Sequence, residues 1–525
     1  MVRKEPSGWS FAGDASSGPP GVCPSRGPQV TTSMTTGEGT VMKDSGAFVN
    51  GRRAATIASA RRTLVNPATG APHASVPECG VQDVERAVDA ARDALAGSAW
   101  RSTTPTVRAD LVSALGTALG KRGEEFAHLV TTENGSPIAR TRAAQGTRVP
   151  EIYSYFAGLG RDFEAEELRH GSGTLVRRLP VGVAGLITPW NGPQSLLAFK
   201  LAPALIAGCT VVVKPALETS LDALLLADCA TNAGFPPGVI NVVTGGAETG
   251  EALVRSPGVD MIAFTGSPTV GRSIGTYCGG QLRPAVLELG GKSAAIVMED
   301  ADLGDFGRQV TSVCMPNTGQ VCYSCTRVLA PRSRYEEVLD AVVSAVRESP
   351  VGDPMDPEVV FGPLVSAQQR DRVESLIACG RKEGAKVVLG GPTTTNPSPG
   401  FFVNPTVFRD VDNRMRIAQE EIFGPVLTLI PYDDDDDAVR LANDTAFGLG
   451  GVVFGRSADR VRHIARQVRA GTFGINGYNV SLDAPFGGTK GSGIGRELGP
   501  EGLSAYVQPQ SIYGYQETRP LGEMV

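Results

Sequence analysis

Apolar positions along much of the chain recur at the alternating three- and four-residue spacing of a helix face. This spacing is clearest over residues 81–95 and continues in a second pattern over 111–119. Comparable apolar runs predict three further helices over residues 196–206, 221–233 and 335–346.

Short apolar or β-branched runs between these helices predict buried strands. They cover residues 181–188, 210–213, 239–243, 261–264, 293–297 and 325–329. Strands that alternate with helices in this way indicate parallel sheets in an α/β fold. Because the alternation starts again after residue 290, we predict two α/β units, with the default site in a cleft near residues 288–322.

Composition limits the class of protein. A chain of 525 residues is too long for one ordinary core, and 41% apolar with 20% charged residues is typical of soluble globular proteins. A net charge of −6 without a basic stripe argues against a nucleic-acid partner. No apolar run reaches the roughly 18 residues that a membrane helix needs. Residues 1–46, rich in Gly, Ser, Pro and Thr, are predicted to be a disordered extension.

The cysteines indicate a reducing compartment. Nine Cys without regular spacing fit free thiols in the cytoplasm. Cys322 and Cys325 form a lone C-x-x-C, and the four His are scattered, so we predict no metal site. The acidic run 433–437 is interpreted as a solvated surface loop.

Three side chains suggest chemistry. Cys322 follows Gly319 in a loop, and a thiol is a strong nucleophile once ionised. Glu288 ends an apolar stretch just before two glycines, where burial would raise its pKa toward that of a general base. Asn191 follows a predicted strand, and its amide is suited to donating to an oxyanion.

Two other motifs resemble known functional signatures, but their surrounding sequence does not match what those signatures require. Gly291-Lys-Ser resembles the end of a P-loop, but Val286 stands where that motif needs glycine. The pattern G-x-S-x-G occurs over residues 271–275 without a strand leading into it, which argues against a serine hydrolase. Loops after the strands that end at 243 and 264 give only weak signals for binding a pyrophosphate.

From about residue 47 to 515 the chain resembles the aldehyde dehydrogenase superfamily, of the NAD(P)-dependent, non-acylating type. The matching motifs, in order, are PWN (189–191), KP (214–215), GFPPG (234–238), FTGS (264–267), ELGGK (288–292), GQVC (319–322), EIFGP (421–425) and PFGG (485–488).

The resemblance implies a Rossmann-like cofactor domain, an α/β catalytic domain and a small β arm for oligomerisation. By position, residues 47–157 and 181–290 would form the NAD(P)-binding domain and 291–492 the catalytic domain. Residues 158–180 and 493–525 would form the arm and the C-terminal tail. The expected protein is a cytoplasmic homodimer or homotetramer.

The resemblance also implies the reaction and its residues. Cys322 would attack an aldehyde, Asn191 would hold the oxyanion, and Glu288 would activate water to hydrolyse a thioester to a carboxylate, with Lys200 in support. The expected cofactor is NAD, with NADP possible because Leu217 replaces a frequent Glu and Glu218 is shifted by one. The implied cofactor-binding residues are Ile187, Thr188, Pro189, Trp190, Lys214, Gly245, Gly250, Phe264, Ser267, Leu289, Glu421 and Phe423.

The substrate is expected to be a small-molecule aldehyde. Its predicted pocket consists of Gly192, Leu196, Phe199, Val321, Tyr323 and Tyr478. Gly192 replaces what is often a bulky residue, so we expect room for a larger or aromatic aldehyde, and no Arg or Lys is expected to await a charged tail. Two alternatives stay open: a CoA-acylating member, which would lack the water-activating Glu, and an inactive member with a structural or binding role.

Overall fold

Two large, mostly parallel sheets with flanking helices dominate the fold. The computed structural model describes residues 46–391 and 399–515. The strands are β1 Ala47–Val49, β2 Arg52–Ala54, β3 Arg61–Val65, β4 Pro72–Pro77, β5 Glu166–Arg169, β6 Thr174–Pro180, β7 Val183–Ile187, β8 Thr210–Lys214, β9 Ile240–Val242, β10 Met261–Thr265, β11 Ala285–Glu288, β12 Ala294–Val297, β13 Arg327–Pro331, β14 Lys386–Leu389, β15 Thr406–Arg409, β16 Val426–Tyr432, β17 Gly451–Phe454, β18 Gly474–Ile475, β19 Gly493–Ile494 and β20 Val507–Ile512.

The helices lie mainly between these strands. They are α1 Val81–Ala96, α2 Ser98–Arg101, α3 Pro105–Lys121, α4 Gly123–Asn134, α5 Ile138–Thr141, α6 Arg148–Arg161, α7 Pro193–Ala207, α8 Ser220–Asn232, α9 Ala247–Arg255, α10 Pro268–Gly280, α11 Leu303–Gln309, α12 Tyr335–Arg347, α13 Ala367–Lys382, α14 Arg416–Gln419, α15 Asp435–Asn443, α16 Ala458–Gln467 and α17 Gly499–Ser504. Two π-helical turns, Arg142–Thr147 and Val310–Cys314, interrupt this pattern.

The first large sheet has the strand order β19-β11-β10-β7-β8-β9-β1-β2. Its five central strands are mutually parallel, while β1 and β19 run antiparallel to their neighbours at either end. Every residue of β7, β8 and β10 is buried, because helices cover both faces of such a sheet. The order of these strands around β7 is that of a Rossmann-like unit.

The second large sheet has the order β14-β15-β16-β13-β12-β17-β18 and is parallel except for β14. A third sheet pairs β20 with β6 and β6 with β5, all antiparallel. It therefore joins the C-terminal segment to residues 166–180, as expected for the arm. The predicted domain boundaries themselves stay predictions, and residues 1–45 and 516–525 of those ranges lie outside the described part of the chain.

The predicted helices and strands are all present, with ends shifted by a few residues. The acidic run was interpreted wrongly as a loop. Asp434 accepts a hydrogen bond from the Asp437 N–H and caps α15, whose first turn holds the other acidic groups. Carboxylates stabilise a helix at its N-terminus, so this run has a local structural purpose.

A buried guanidinium joins the second sheet to the loop that follows Glu288. Arg327, at the start of β13, is 1% exposed. It donates to the carbonyls of Lys292, Leu441 and Ala442 and to the Asn413 side chain, all at 2.8–2.9 Å. These bonds fix the backbone just after Gly290-Gly291 relative to Asn413 and to α15, which carries Leu441 and Ala442.

Replacing this guanidinium should destabilise the fold. In Arg327→Met three buried carbonyls lose their donor, and we expect the free energy of unfolding to fall by about 3 kcal/mol. A thermal melt should show a midpoint several degrees lower. Arg332→Met, which breaks the exposed pair with Asp433, is the control and should leave the midpoint unchanged. Equal melting of both variants would contradict this account.

Candidate active site

Parallel strands bring the predicted site residues to one edge of the first sheet. Ile187, Lys214, Thr265 and Glu288 are the last residues of β7, β8, β10 and β11, which are neighbours in register. In open α/β sheets ligands bind beyond the carboxyl ends of the strands, where the strand order diverges. The loop from Thr188 to Gly192 leaves β7 at this same edge.

Cys322 lies in a tightly constrained loop between the π-turn Val310–Cys314 and β13. Asn317, Thr318 and Gly319 all have positive φ, of 55°, 58° and 75°. A Cβ at Gly319 would lie 2.0 Å from the Gly424 carbonyl oxygen, so only glycine fits there. The Gln320 side chain accepts a hydrogen bond from the Val365 N–H at 3.1 Å, which fixes Gln320, two residues before the thiol. The thiol is therefore presented by a backbone with little freedom.

Two cavities of similar size meet at this thiol. The first, the sheet cavity, measures about 470 Å³ and is lined by Pro189, Trp190, Asn191, Thr265, Gly266, Ser267, Pro268, Thr269, Glu288, Leu289, Gly290, Cys322, Gln369, Arg372, Gln419, Glu420, Glu421, Phe423 and Phe447. The second, the helix cavity, measures about 450 Å³ and includes residues of α6 and α7. Only Asn191 and Cys322 line both.

Glu288 is a buried acid without a hydrogen-bond partner. It is 3% exposed, and neither carboxyl oxygen has a donor among the described residues. Burial raises the pKa of Glu288 well above its usual range, and Glu497 raises it further, while Lys200 and Arg496 oppose the shift. The side chain thus prefers to hold its proton at rest, as the sequence analysis expected of a general base.

Lys200 lies behind this acid rather than in either cavity. It is fully buried and donates to Glu497 and, at 2.5 Å, to the Thr265 hydroxyl. Glu497 is 297 residues away in sequence, and no local pattern pointed to it. Within this pair, Lys200 places a cation near Glu288 and favours its ionised form, whereas Glu497 opposes it.

The thiol of Cys322 is protonated at rest. Removal from bulk water raises its pKa, and the carboxylates of Glu421 and Glu288 raise it further, while the main-chain N–H groups of Tyr323 and Cys322 oppose this. A nucleophilic thiol here must therefore lose its proton to a base when the substrate is bound. Glu288 lines the sheet cavity with it and is the acid group suited to accept that proton.

Asn191 is fixed against the loop that carries Cys322. Its side-chain nitrogen donates to the Gln320 carbonyl at 2.9 Å, and its main-chain carbonyl accepts from the Asn317 side chain at 3.2 Å. An amide nitrogen has two N–H groups, so one donor remains for a ligand oxygen. The main-chain carbonyl of the neighbouring Trp190 accepts from the Asn134 side chain, and this bond ties the loop from Thr188 to Gly192 to the end of α4.

Aromatic and acidic groups form the far wall of the sheet cavity. The rings of Trp190 and Phe423 meet edge to face with centroids 5.3 Å apart, and Phe423 has a positive φ of 60°. Glu421 accepts from the Gly291 N–H at 3.0 Å, and burial raises its pKa to about 7. A Cβ at Gly290 would lie 2.2 Å from the Glu421 carboxyl, so this glycine permits the close approach.

The remaining predicted cofactor residues lie around the strand ends and outside the cavity lining. Lys214 donates to the Pro215 carbonyl at 2.9 Å, and burial lowers its pKa to about 8 while Glu218 opposes that shift. Gly250 faces the Lys214 chain from the first half of α9, and Gly245 precedes that helix with a φ of 153°. Ile187, Thr188 and Phe264 are buried beside them.

The helix cavity contains all six predicted substrate residues and several that the sequence analysis missed. Its lining is Arg140, Ala144, Gln145, Arg148, Asn191, Gly192, Ser195, Leu196, Phe199, Val321, Cys322, Tyr323, Tyr478, Asn479, Val480, Leu482 and Phe486. The rings of Tyr323 and Tyr478 stack at 5.0 Å. The expectation that no Arg or Lys faces this pocket was wrong, because the helix that carries Arg140 and Arg148 comes from a distant part of the sequence.

Other readings of the sequence find no support in the geometry. The G-x-S-x-G stretch lies inside α10, so its serine is not on a strand-to-helix elbow. Over residues 46–391 and 399–515, no three His, Cys, Asp or Glu side chains cluster as metal ligands would. In the same ranges no helix has the length and apolar character needed to cross a bilayer.

Comparison with known proteins identifies the family. The model of the aldehyde dehydrogenase family matches residues 56–512. A geranial dehydrogenase from Castellaniella defragrans is 49% identical over 469 residues, which covers 89% of this chain and 98% of the relative. The chain belongs to the aldehyde dehydrogenase family, whose members are oxidoreductases acting on aldehydes.

Solved structures of the family share the fold. A Mycobacterium tuberculosis aldehyde dehydrogenase complexed with NAD+ is 45% identical, with a TM-score of 0.88, and the match covers 92% of this chain and 99% of that one. A mutant aldehyde dehydrogenase from Pseudomonas syringae, complexed with NAD+ and octanal, is 39% identical with a TM-score of 0.88, covering 91% and 98%. The predicted fold class is therefore confirmed.

The repulsion between Glu288 and Cys322 is measurable. In the alkaline range where the thiol ionises, Glu288 carries a negative charge, so Glu288→Gln should lower the pKa of Cys322 by about one unit. The rate of alkylation by iodoacetamide against pH would then shift to lower pH. Glu501→Gln, an exposed acid on α17, is the control. A profile that stays in place or moves to higher pH would refute the coupling.

Proposed function

We propose that this enzyme oxidises a medium-sized aldehyde to its carboxylate, with NAD+ as the acceptor and Cys322 as the nucleophile. The observation that carries the proposal is the meeting of two separate cavities at Cys322 and Asn191 alone. A thiol in that position contacts an aldehyde on one side and a hydride acceptor on the other, without either occupying the other's space.

The sheet cavity is suited to NAD+. It lies beyond parallel strand ends and beside the N-terminus of α10, where N–H groups favour a phosphate. Gly266 and Gly290 lie in its lining, where a Cβ would collide with the Phe264 ring and the Glu421 carboxyl. Glu421 would accept from ribose hydroxyls, with Trp190 and Phe423 against the nicotinamide, and solved relatives hold NAD+. When bound, NAD+ supplies the acceptor for the hydride.

Cys322 and Asn191 carry the first half of the reaction. When Glu288 is ionised it takes the proton of the Cys322 thiol, and the sulfur attacks the aldehyde carbon and forms a thiohemiacetal. The free N–H of the Asn191 amide and the main-chain N–H of Cys322 hold the oxygen as its negative charge develops. Removing one such donor typically costs about 10²–10³ in rate. Loss of hydride leaves a thioester on the sulfur.

Glu288 carries the second half. Once the proton taken from Cys322 has passed to solvent, the Glu288 carboxylate takes a proton from water and the resulting hydroxide attacks the thioester carbon. The carboxylic acid is released as the thiolate leaves, and the thiolate takes the proton back from Glu288. The cation of Lys200 supports the ionised state that this step needs. Since Glu288 lines the same cavity as Cys322, hydrolysis of the thioester is favoured over its transfer to CoA. The presence of Cys322, Glu288 and Asn191 together argues against an inactive protein.

Glu218 favours NAD+ over NADP+. It lies in the short 3₁₀ turn Leu217–Thr219, close enough to affect the Lys214 amine that would contact the adenosine ribose. A carboxylate there accepts from a 2′-hydroxyl and repels a 2′-phosphate. The one-residue shift seen in the sequence thus still leaves an acid beside the lysine.

The inner lining of the helix cavity favours an aldehyde with an apolar body. Leu196, Phe199, Tyr323, Tyr478 and Phe486 surround the approach to the thiol. Gly192, where a side chain would narrow the space, leaves it open. The relatives named for geranial and crystallised with octanal fit the same range of sizes.

The three-stranded sheet is the proposed contact between subunits. β5 and β20 are its outer strands, and each has an edge without a strand partner among the described residues. Unpaired edges favour addition of strands from another chain, which supports a homodimer or homotetramer. In the family this assembly is the usual one, and a cytoplasmic location fits the free thiols.

The wild-type enzyme should form NADH with medium-sized aldehydes, and two variants should separate its steps. Glu288→Gln should still give a burst of NADH close to one per site, formed more slowly because the Cys322 thiol must lose its proton to solvent. The steady rate that follows should be lower by about 10² or more, because water loses its base. In the wild type, hydrolysis should quicken as pH rises through the raised pKa of Glu288. Rapid-mixing absorbance measures both phases.

Cys322→Ala is the companion variant and should abolish NADH formation and ester cleavage alike. Substantial turnover by this variant would remove the thiol from the mechanism. An unchanged steady rate in Glu288→Gln would remove the carboxyl from hydrolysis.

The cofactor preference should depend on Glu218. Glu218→Gln replaces the charged acceptor for the ribose hydroxyl with a weaker neutral one and should raise KM for NAD+ by about tenfold, while KM for NADP+ stays level or falls because the negative charge is gone. Glu251→Gln, on α9 and paired with Arg255, is the control. If the ratio of kcat/KM for the two dinucleotides stays the same, Glu218 does not read the ribose.

A further inference from the structure

The charged groups that line the helix cavity are of one sign only. Among the seventeen lining residues, Arg140 and Arg148 are the charged ones, and no Asp or Glu accompanies them. Most of the other side chains are aromatic or aliphatic. The arginines lie on α5 and α6 and the thiol in the loop before β13, so the cavity combines an apolar lining with a cationic wall on elements other than the one that carries the thiol.

The two arginines differ in how much of their charge is already balanced. Arg148 pairs with Glu151 at 2.9 Å and donates to the Val480 carbonyl at 3.2 Å. Arg140, in contrast, is half-buried and makes no hydrogen bond or ion pair with its side chain among the described residues. Guanidinium groups with five donors are normally partnered when they lose water. Arg140 thus offers a fork of unused donors to the cavity.

The helix that carries these arginines is fixed to the catalytic loop. Between them lies the π-turn Arg142–Thr147, a feature frequent at functional sites. Within it, the Gln145 side chain accepts the N–H groups of Gln194 and Ser195, both at 3.1 Å, and so caps the start of α7. Because α7 follows directly on Asn191 and Gly192, the distance from the arginines to the reacting centre is set by the fold.

We propose that Arg140 recognises an anionic group at the end of the substrate remote from the aldehyde. The favoured substrate class is then an aldehyde with an apolar middle and a terminal carboxylate, which a guanidinium binds through two parallel hydrogen bonds. Arg148 holds the Val480 loop in place and adds to the positive potential. This inference rests on the proposed function and narrows its substrate.

Two matched series of aldehydes test the proposal: n-alkanals, and ω-oxo carboxylates of the same lengths. In the wild type, kcat/KM should favour the carboxylate at the chain length that reaches Arg140, and added salt should weaken this preference. Arg140→Gln should lower kcat/KM for that carboxylate by about tenfold and leave the alkanal within about twofold. Arg140→Lys should recover part of the loss.

Arg142→Gln is the matched control. Arg142 lies two residues along the same helical segment, is exposed and pairs with Glu124 at 2.5 Å, outside the cavity lining. It should change neither series. The proposal would be overturned if Arg140→Gln lowered kcat/KM equally for alkanals and for ω-oxo carboxylates. It would also be overturned if the wild type showed no preference for the carboxylate at any chain length.

A measurement without turnover separates this proposal from the proposed function. Aliphatic dicarboxylates should protect Cys322 from iodoacetamide better than monocarboxylates of the same length, and Arg140→Gln should remove the difference. This difference in protection does not depend on turnover. A failure of every aldehyde to yield NADH would therefore refute the proposed function without refuting the role of Arg140. Equal protection by both acids in the wild type would refute the role of Arg140.

Discussion

The site depends on placing a thiol and a carboxyl group together where water is scarce. Cys322 and Glu288 each prefer the protonated state there, since burial penalises both charges and an ionised Glu288 further penalises the thiolate. The two groups are therefore not ionised together at low cost, and the thiol can give its proton to Glu288 only when that carboxyl is ionised. Lys200 and the main-chain N–H groups at the thiol limit the penalty without removing it.

The fold brings these two groups together although they come from different sheets. Glu288 ends a strand of the first sheet, whereas Cys322 precedes a strand of the second. The bonds from Arg327 to the Lys292 carbonyl and from Gln320 to Val365 fix the backbone on either side of the junction. Strained or glycine-dependent positions are concentrated here, at 317–319 and 290, because the backbones must approach closely.

Local sequence patterns were enough for the strands, the helices and the position of Glu288 at a strand end. Family motifs added Asn191, Cys322 and the aromatic lining, since those residues lie close to recognisable segments. Contacts between distant segments were beyond such reasoning: Glu497 beside Lys200, Asn413 beside Arg327, and Arg140 in the helix cavity. Arg140 gave no signal because nothing in its sequence neighbours indicates which face of α5 meets the helix cavity.

The separation of the two cavities has a consequence for selective chemistry. A compound that fills only the helix cavity contacts residues such as Arg140 and Gly192 and leaves the sheet cavity untouched. Such a compound would not compete with a dinucleotide in the sheet cavity, so its potency would not depend on the dinucleotide concentration.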